Sequence, residues 1–153
     1  MLLFHSGASS FTSALLFLRF LQIFEQNKTK KFKVLTELGG GKPVKDQDIL
    51  AWVNSKISTP ISSFKDPKIS TSMPIYELLN ALKPGTIDFS IVAQNPKDDA
   101  EKFANAKYAL SMARKIGAVI YTLPEDIVES TQKMTMCAFA CLMVLDAEQQ
   151  QKA

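Results

Sequence analysis

The chain has 153 residues, room for one domain with a single sizeable core and an appended segment. Its 46% apolar and 22% charged residues are ordinary for a globular protein and exclude wholesale disorder. The net charge of +3 hides a split: residues 1–45 hold seven Lys or Arg against two acids, whereas residues 46–153 hold eleven against thirteen, so the bulk of the chain lacks the basic field that nucleic acid would require.

Residues 1–31 read as an atypical leader, apolar and then basic. From Ala14 to Phe24 nine of eleven residues are apolar, broken by Arg19 and Gln22, which is too short and too interrupted for a membrane span of about 18 apolar residues. No basic residue precedes this stretch, as a secretory signal would need. It reads as a hydrophobic helix packed on the domain or a neighbour, or as a poorly ordered leader. The competing reading is a secreted or membrane-attached protein anchored through Leu15 to Phe24, but no membrane partner is expected. Lys28, Lys30, Lys31 and Lys33 then crowd together, with Lys42 and Lys45 as extensions. Such a run is a solvated face, or a contact for an acidic protein surface or anionic lipid. Asn27-Lys28-Thr29 also fits a glycosylation sequon, a pattern only three positions long.

Phe32, Leu35 and Leu38 recur at helical spacing until Gly39-Gly40-Gly41 stops them. No G-K-S/T follows the glycines, so they form a turn and not a phosphate cradle. Asp46 is expected to cap the next helix, whose stripe is Ile49, Val53 and Ile57, broadened by Leu50 and Trp52, with Trp52 in the core. Ile61 and Phe64 are plugs in an irregular connection around Asp66-Pro67. Pro74 fits the first turn of a helix, capped by Thr71 or Ser72, burying Ile75, Leu78, Leu79 and Leu82 and ending at Lys83-Pro84-Gly85.

Asp98 and Asp99 put negative charge at the start of a long helix that Lys115 closes before Gly117. Phe103, Ala106, Leu110 and Ala113 should form its buried side, with Tyr108 at the edge. Ala118 to Leu123 is too brief to imply a sheet, and Pro124-Glu125-Asp126 opens a short helix. Gln132 to about Glu148 is helical and apolar all round from Met134 to Val144, which places it at the centre of a bundle. There Met134, Met136 and Met143 read as packing, and Cys137 and Cys141, one turn apart, as buried small hydrophobes. With His5 the sole histidine and far away, they lack the further ligands a metal site needs. Nothing implies an oxidising compartment.

Catalytic chemistry finds no footing. The acidic pairs Asp98/Asp99 and Glu125/Asp126 stand where helix starts ask for acids, and one histidine in an unlike arm leaves a Ser or Cys nucleophile without a base. No enzyme, cofactor or metal is expected, and no calcium loop is present.

Three passages carry a resemblance: SSFKDPKISTSMPIYELLNALKPGTID from Ser62 to Asp88, Trp52 upstream, and NAKYALSMARKIGAVIYTLPEDIVE downstream. In order and spacing they resemble a calponin-homology domain, specifically the last of the four in the fimbrin/plastin family of actin-bundling proteins. The resemblance runs roughly from Phe32 to Val144. Most calponin-homology domains have Asp-Gly where Thr71-Ser72 stands, and the fourth fimbrin domain commonly lacks that pair. The resemblance implies an all-α compact helical bundle over residues 32–146 with a polar tail at 147–153. It further implies a cytoplasmic, cytoskeletal actin-filament-binding and crosslinking module, the second member of a tandem pair beside an adjacent calponin-homology domain. Filament contact would fall to Lys28, Lys30, Lys31, Lys33, Lys42 and Lys45. The alternative is a structural or regulatory domain that docks on another such domain without touching actin.

Overall fold

The computed structural model describes residues 44–153, which are helices and connections with no strand among them. The helices are α1 (Asp46–Lys56), α2 (Met73–Leu82), α3 (Asp99–Lys115), α4 (Pro124–Val128) and α5 (Gln132–Lys152), with a 3-10 helix, Pro67–Thr71, leading into α2. The fold is the all-α bundle expected.

Helix α1 starts one residue away from the expected register. Lys45 stands at the N-cap in extended backbone and Asp46 is already helical. The cap is supplied from inside the helix, where the Asp48 carboxylate accepts the Lys45 backbone N–H at 2.8 Å. Ile49, Val53 and Ile57 are buried as their spacing requires. Trp52 is not a core residue. It is half-buried, and its indole N–H donates to Asp146 Oδ2 on α5 at 3.3 Å. Beside it the Lys56 ammonium lies 3.8 Å from the same oxygen. Each helical residue turns about 100° from the last, so with Val53 facing inward its neighbour falls on the rim. Trp52 therefore clasps α1 to α5 at the edge of the core.

The connection from α1 to α2 is irregular but fully tied. Ile61 and Phe64 are buried plugs. The Asn54 amide accepts Ile61 N–H at 2.9 Å and donates to Ile61 O at 2.9 Å, which fixes the first plug. Asp66 then caps the 3-10 helix by accepting Lys68 N–H at 3.0 Å.

At the entry to α2 the chain turns through Ser72, whose φ of +66° is left-handed. Both proposed caps are present there, with different duties. Thr71 Oγ1 accepts Met73 N–H at 3.2 Å, whereas Ser72 supplies the turn, and its buried hydroxyl has no hydrogen-bond partner among the described residues. A left-handed non-glycine residue and an unpaired buried hydroxyl each carry an energetic penalty. Ser72→Gly should therefore stabilise the domain by about 1 kcal/mol. A denaturant midpoint unchanged or lowered in Ser72→Gly would contradict this reading of the turn.

At the helix start expected there, Asp98 Oδ1 accepts Glu101 N–H at 2.9 Å and caps α3. Ala106, Leu110 and Ala113 are buried, but Phe103 is 37% exposed. Burial along α3 begins only at Asn105, so Phe103 lies beyond the last segment packed on that face. Helix α3 packs on α4, on the 3-10 helix and on α2. Helix α5 packs on α1 and α4, and its middle is buried almost without interruption from Met134 to Met143. The Phe139 ring is fully buried there and meets Phe64 with centroids 5.8 Å apart. Residues 147–153, read from sequence as a polar tail, continue α5 to Lys152, and Ala147 is buried.

Candidate functional site

Of the six lysines expected at a partner surface, Lys28, Lys30, Lys31, Lys33 and Lys42 lie outside the described residues. Lys45 is exposed at the first turn of α1, where its backbone is held by Asp48. Through the Trp52 and Lys56 contacts to Asp146, α1 is in turn held to α5.

Four carboxylates of the helical body, Asp66, Glu77, Asp98 and Asp126, are occupied by structure. Asp98 caps α3, and Asp126 Oδ2 accepts Leu123 N–H at 2.9 Å at the start of α4. Asp66 Oδ2 accepts both the N–H and the hydroxyl of Ser62, at 2.8 and 3.0 Å. Glu77, on α2, binds four donors from one loop: Ser58 N–H at 2.9 Å, Ser58 Oγ at 3.0 Å, Thr59 N–H at 3.1 Å and Thr59 Oγ1 at 3.0 Å.

These bonds set the acidities. The backbone N–H of Ser62 is the main influence lowering the Asp66 pKa, with burial opposing it. Burial is the largest single influence on Glu77 and raises its pKa, but the bonds from Thr59 and Ser58 together outweigh it and the net shift is downward. A folded-state pKa below the unfolded value gives stability that is complete above the unfolded pKa and is lost as the pH falls through the folded one. Both groups therefore hold their loops at neutral pH and release them in acid.

Asn105 was not singled out by sequence reasoning, and its buried side chain makes three hydrogen bonds to two other segments of the chain. Its amide donates to Thr71 O at 3.1 Å and to Ala93 O at 2.9 Å, and its carbonyl accepts Ala93 N–H at 3.1 Å. Tyr76 Oη donates to the Asn105 backbone carbonyl at 2.6 Å. One residue thus ties α3 to the turn before α2 and to the loop between α2 and α3. The available signal was its register, four and eight residues before the buried Ala109 and Ala113.

That loop holds two of the exposed large apolar side chains among the described residues, with Phe103 and Val119 exposed elsewhere. Phe89 packs edge-on against Tyr76 with ring centroids 6.3 Å apart, while Ile91 is 66% exposed. Tyr108, at the helix edge as expected, accepts Asp88 N–H at 3.1 Å through its hydroxyl. Cys137 and Cys141 are free and buried, and their mutual hydrogen bond together with burial pushes the Cys137 thiol pKa far up, so it remains a neutral packing group. Among the described residues no cluster of three or more His, Cys, Asp or Glu could hold a metal ion, and no helix is long and apolar enough to cross a membrane. What this geometry offers is surface for a macromolecular partner, held on a stapled helical body.

The calponin homology (CH) domain family model matches residues 43–146, and the chain belongs to that family. Within it the domain is of the fimbrin/plastin kind. The chain is 49% identical over 115 residues to Plastin-3 of Danio rerio, a match covering 72% of this chain and 18% of that protein. It is 42% identical over 144 residues to Plastin-1 of Homo sapiens, covering 91% of this chain and 22% of that one. The chain thus spans about a fifth of the length of these relatives. The solved actin-crosslinking core of Schizosaccharomyces pombe fimbrin superposes with a TM-score of 0.65 at 32% identity, covering 80% of this chain and 26% of that structure. Such domains are structural binding modules and not enzymes.

Proposed function

We propose that this chain is an actin-filament-binding module of a fimbrin-like crosslinking protein, acting in the cytoplasm on the actin cytoskeleton. The observation that supports it most is the overlap of 80% of the chain with the actin-crosslinking core of fimbrin, at an identity high enough to carry more than fold. The module takes the second place in a tandem calponin-homology pair, the place suggested by the Thr71-Ser72 turn. Filament attraction comes from the basic arm of Lys28, Lys30, Lys31 and Lys33, extended by Lys42 and Lys45, because residues 46–153 carry more acids than bases. At physiological salt the Debye length is about 8 Å, so such attraction fades as ionic strength rises.

Neutralising Lys28, Lys30, Lys31 and Lys33 together should abolish most cosedimentation with actin filaments while leaving the helical circular-dichroism signal intact. Binding that persists in this variant and at high salt would move the contact surface onto the helical body.

The exposed Phe89 and Ile91 favour a second reading, in which the domain docks on an adjacent calponin-homology domain and leaves the filament to it. Under that reading Ile91→Asp weakens association with the neighbouring domain and leaves filament binding by this chain unchanged.

A further inference from the structure

Thr59-Pro60 is the one place in the sequence where a serine or threonine precedes proline. The proline biases Thr59 toward extended backbone, and both residues are exposed in the connection between α1 and α2. The Thr59 hydroxyl is held at 3.0 Å by Glu77 Oε1, and the three other donors of the same loop are held by Oε2. The Glu77 carboxylate is thus engaged by this one loop, and the clamp depends on Thr59 being an uncharged donor.

We propose that Thr59 is a phosphate-acceptor site for a proline-directed protein kinase, and that its phosphorylation releases the loop from Glu77. In the transfer, Thr59 Oγ attacks the γ-phosphorus of ATP and a new O–P bond forms. The bond from that phosphorus to the β,γ-bridging oxygen breaks, ADP leaves with the electron pair, and the hydroxyl proton passes to the kinase's general base. The product carries nearly two negative charges where a hydroxyl had donated to a carboxylate, so attraction becomes repulsion. A new counter-ion is at hand: the Lys68 ammonium already binds Pro60 O at 3.0 Å, one residue along the chain. The flanking Ile57 and Ile61 are buried, so a kinase engages the segment when the clamp is open, and the phosphate then prevents its return. The clamp is both the gate to the site and the element the modification switches. This inference stands independently of filament binding.

The full chain, incubated with ATP and a purified proline-directed serine/threonine kinase, should take up phosphate at Thr59 as mapped by tandem mass spectrometry. Pro60→Ala, a change at an exposed position, should remove the incorporation. Glu77→Gln should raise the initial rate about tenfold, the equilibrium effect of weakening one charge-assisted clamp. The phosphorylated chain should show faster amide hydrogen exchange at Ser58 and Thr59 than the unmodified one. Phosphate mapped to other residues, incorporation that survives Pro60→Ala, or a full chain refractory under conditions that modify a peptide of residues 54–64 would each overturn the assignment. An unchanged rate in Glu77→Gln, or exchange unaltered by the phosphate, would overturn the clamp as its gate.

Discussion

Asn105→Ala should destabilise the domain by about 3–5 kcal/mol, the sum expected when several part-buried backbone groups lose their partners together. The substitution takes the Asn105 amide away from Thr71 O, Ala93 O and Ala93 N–H in a part-buried setting. Against a total of roughly 5–15 kcal/mol this is a large share. Asn105→Asp separates hydrogen bonding from volume, because it retains an acceptor for Ala93 N–H but loses both donors and adds a buried charge, so it should be at least as damaging. Urea unfolding followed by the fluorescence of Trp52, the single tryptophan, measures both. A loss below about 1 kcal/mol in Asn105→Ala would mean that these bonds contribute no more than an ordinary exposed set.

Phe139→Ala should cost about 3–5 kcal/mol through lost burial and the cavity left behind. Phe139 is fully buried on α5 and meets Phe64, the plug of the connection between α1 and α2. The cavity would therefore open between the central helix and the loop that crosses it, and neither side is free to collapse: Asn54 and Asp66 pin the loop on both flanks of Phe64. Phe139→Leu, which keeps most of the volume, should lose much less. Equal losses in the two variants would show that the site relaxes and that Phe139 is not a keystone of the core.

The helical punctuation was legible because it rests on local chemistry. Pro74 and Pro124 in first turns, Asp98 at a cap and Gly85 and Gly117 with positive φ all act within a few residues of themselves. The stripes Ile49/Val53 and Ile75/Leu78/Leu79 followed from period alone. What escaped the sequence is what depends on tertiary neighbours. Trp52 was placed inside because its helix neighbours Ile49, Val53 and Ile57 all seek burial, yet its N–H makes it suited to a rim where Asp146 can accept. Phe103 kept the right spacing but sits on the first turns of α3, ahead of Asn105 where full burial begins, and is 37% exposed. Asn105 looked like an ordinary polar helix residue because its partners lie 12 and 34 positions away. The Glu77 clamp likewise joins residues 18 and 19 apart. Of the candidate site, the lysine cluster was visible as charge, but only Lys45 falls among the described residues.

The central claim is that this calponin-homology domain binds actin filaments through a charged contact. High-speed cosedimentation of the full chain with actin filaments, across a salt series from well below to well above physiological strength, tests it most directly. Saturable binding at low salt that declines steadily as salt rises is the expected result. A chain that stays in the supernatant at every salt concentration, while remaining folded, would contradict it.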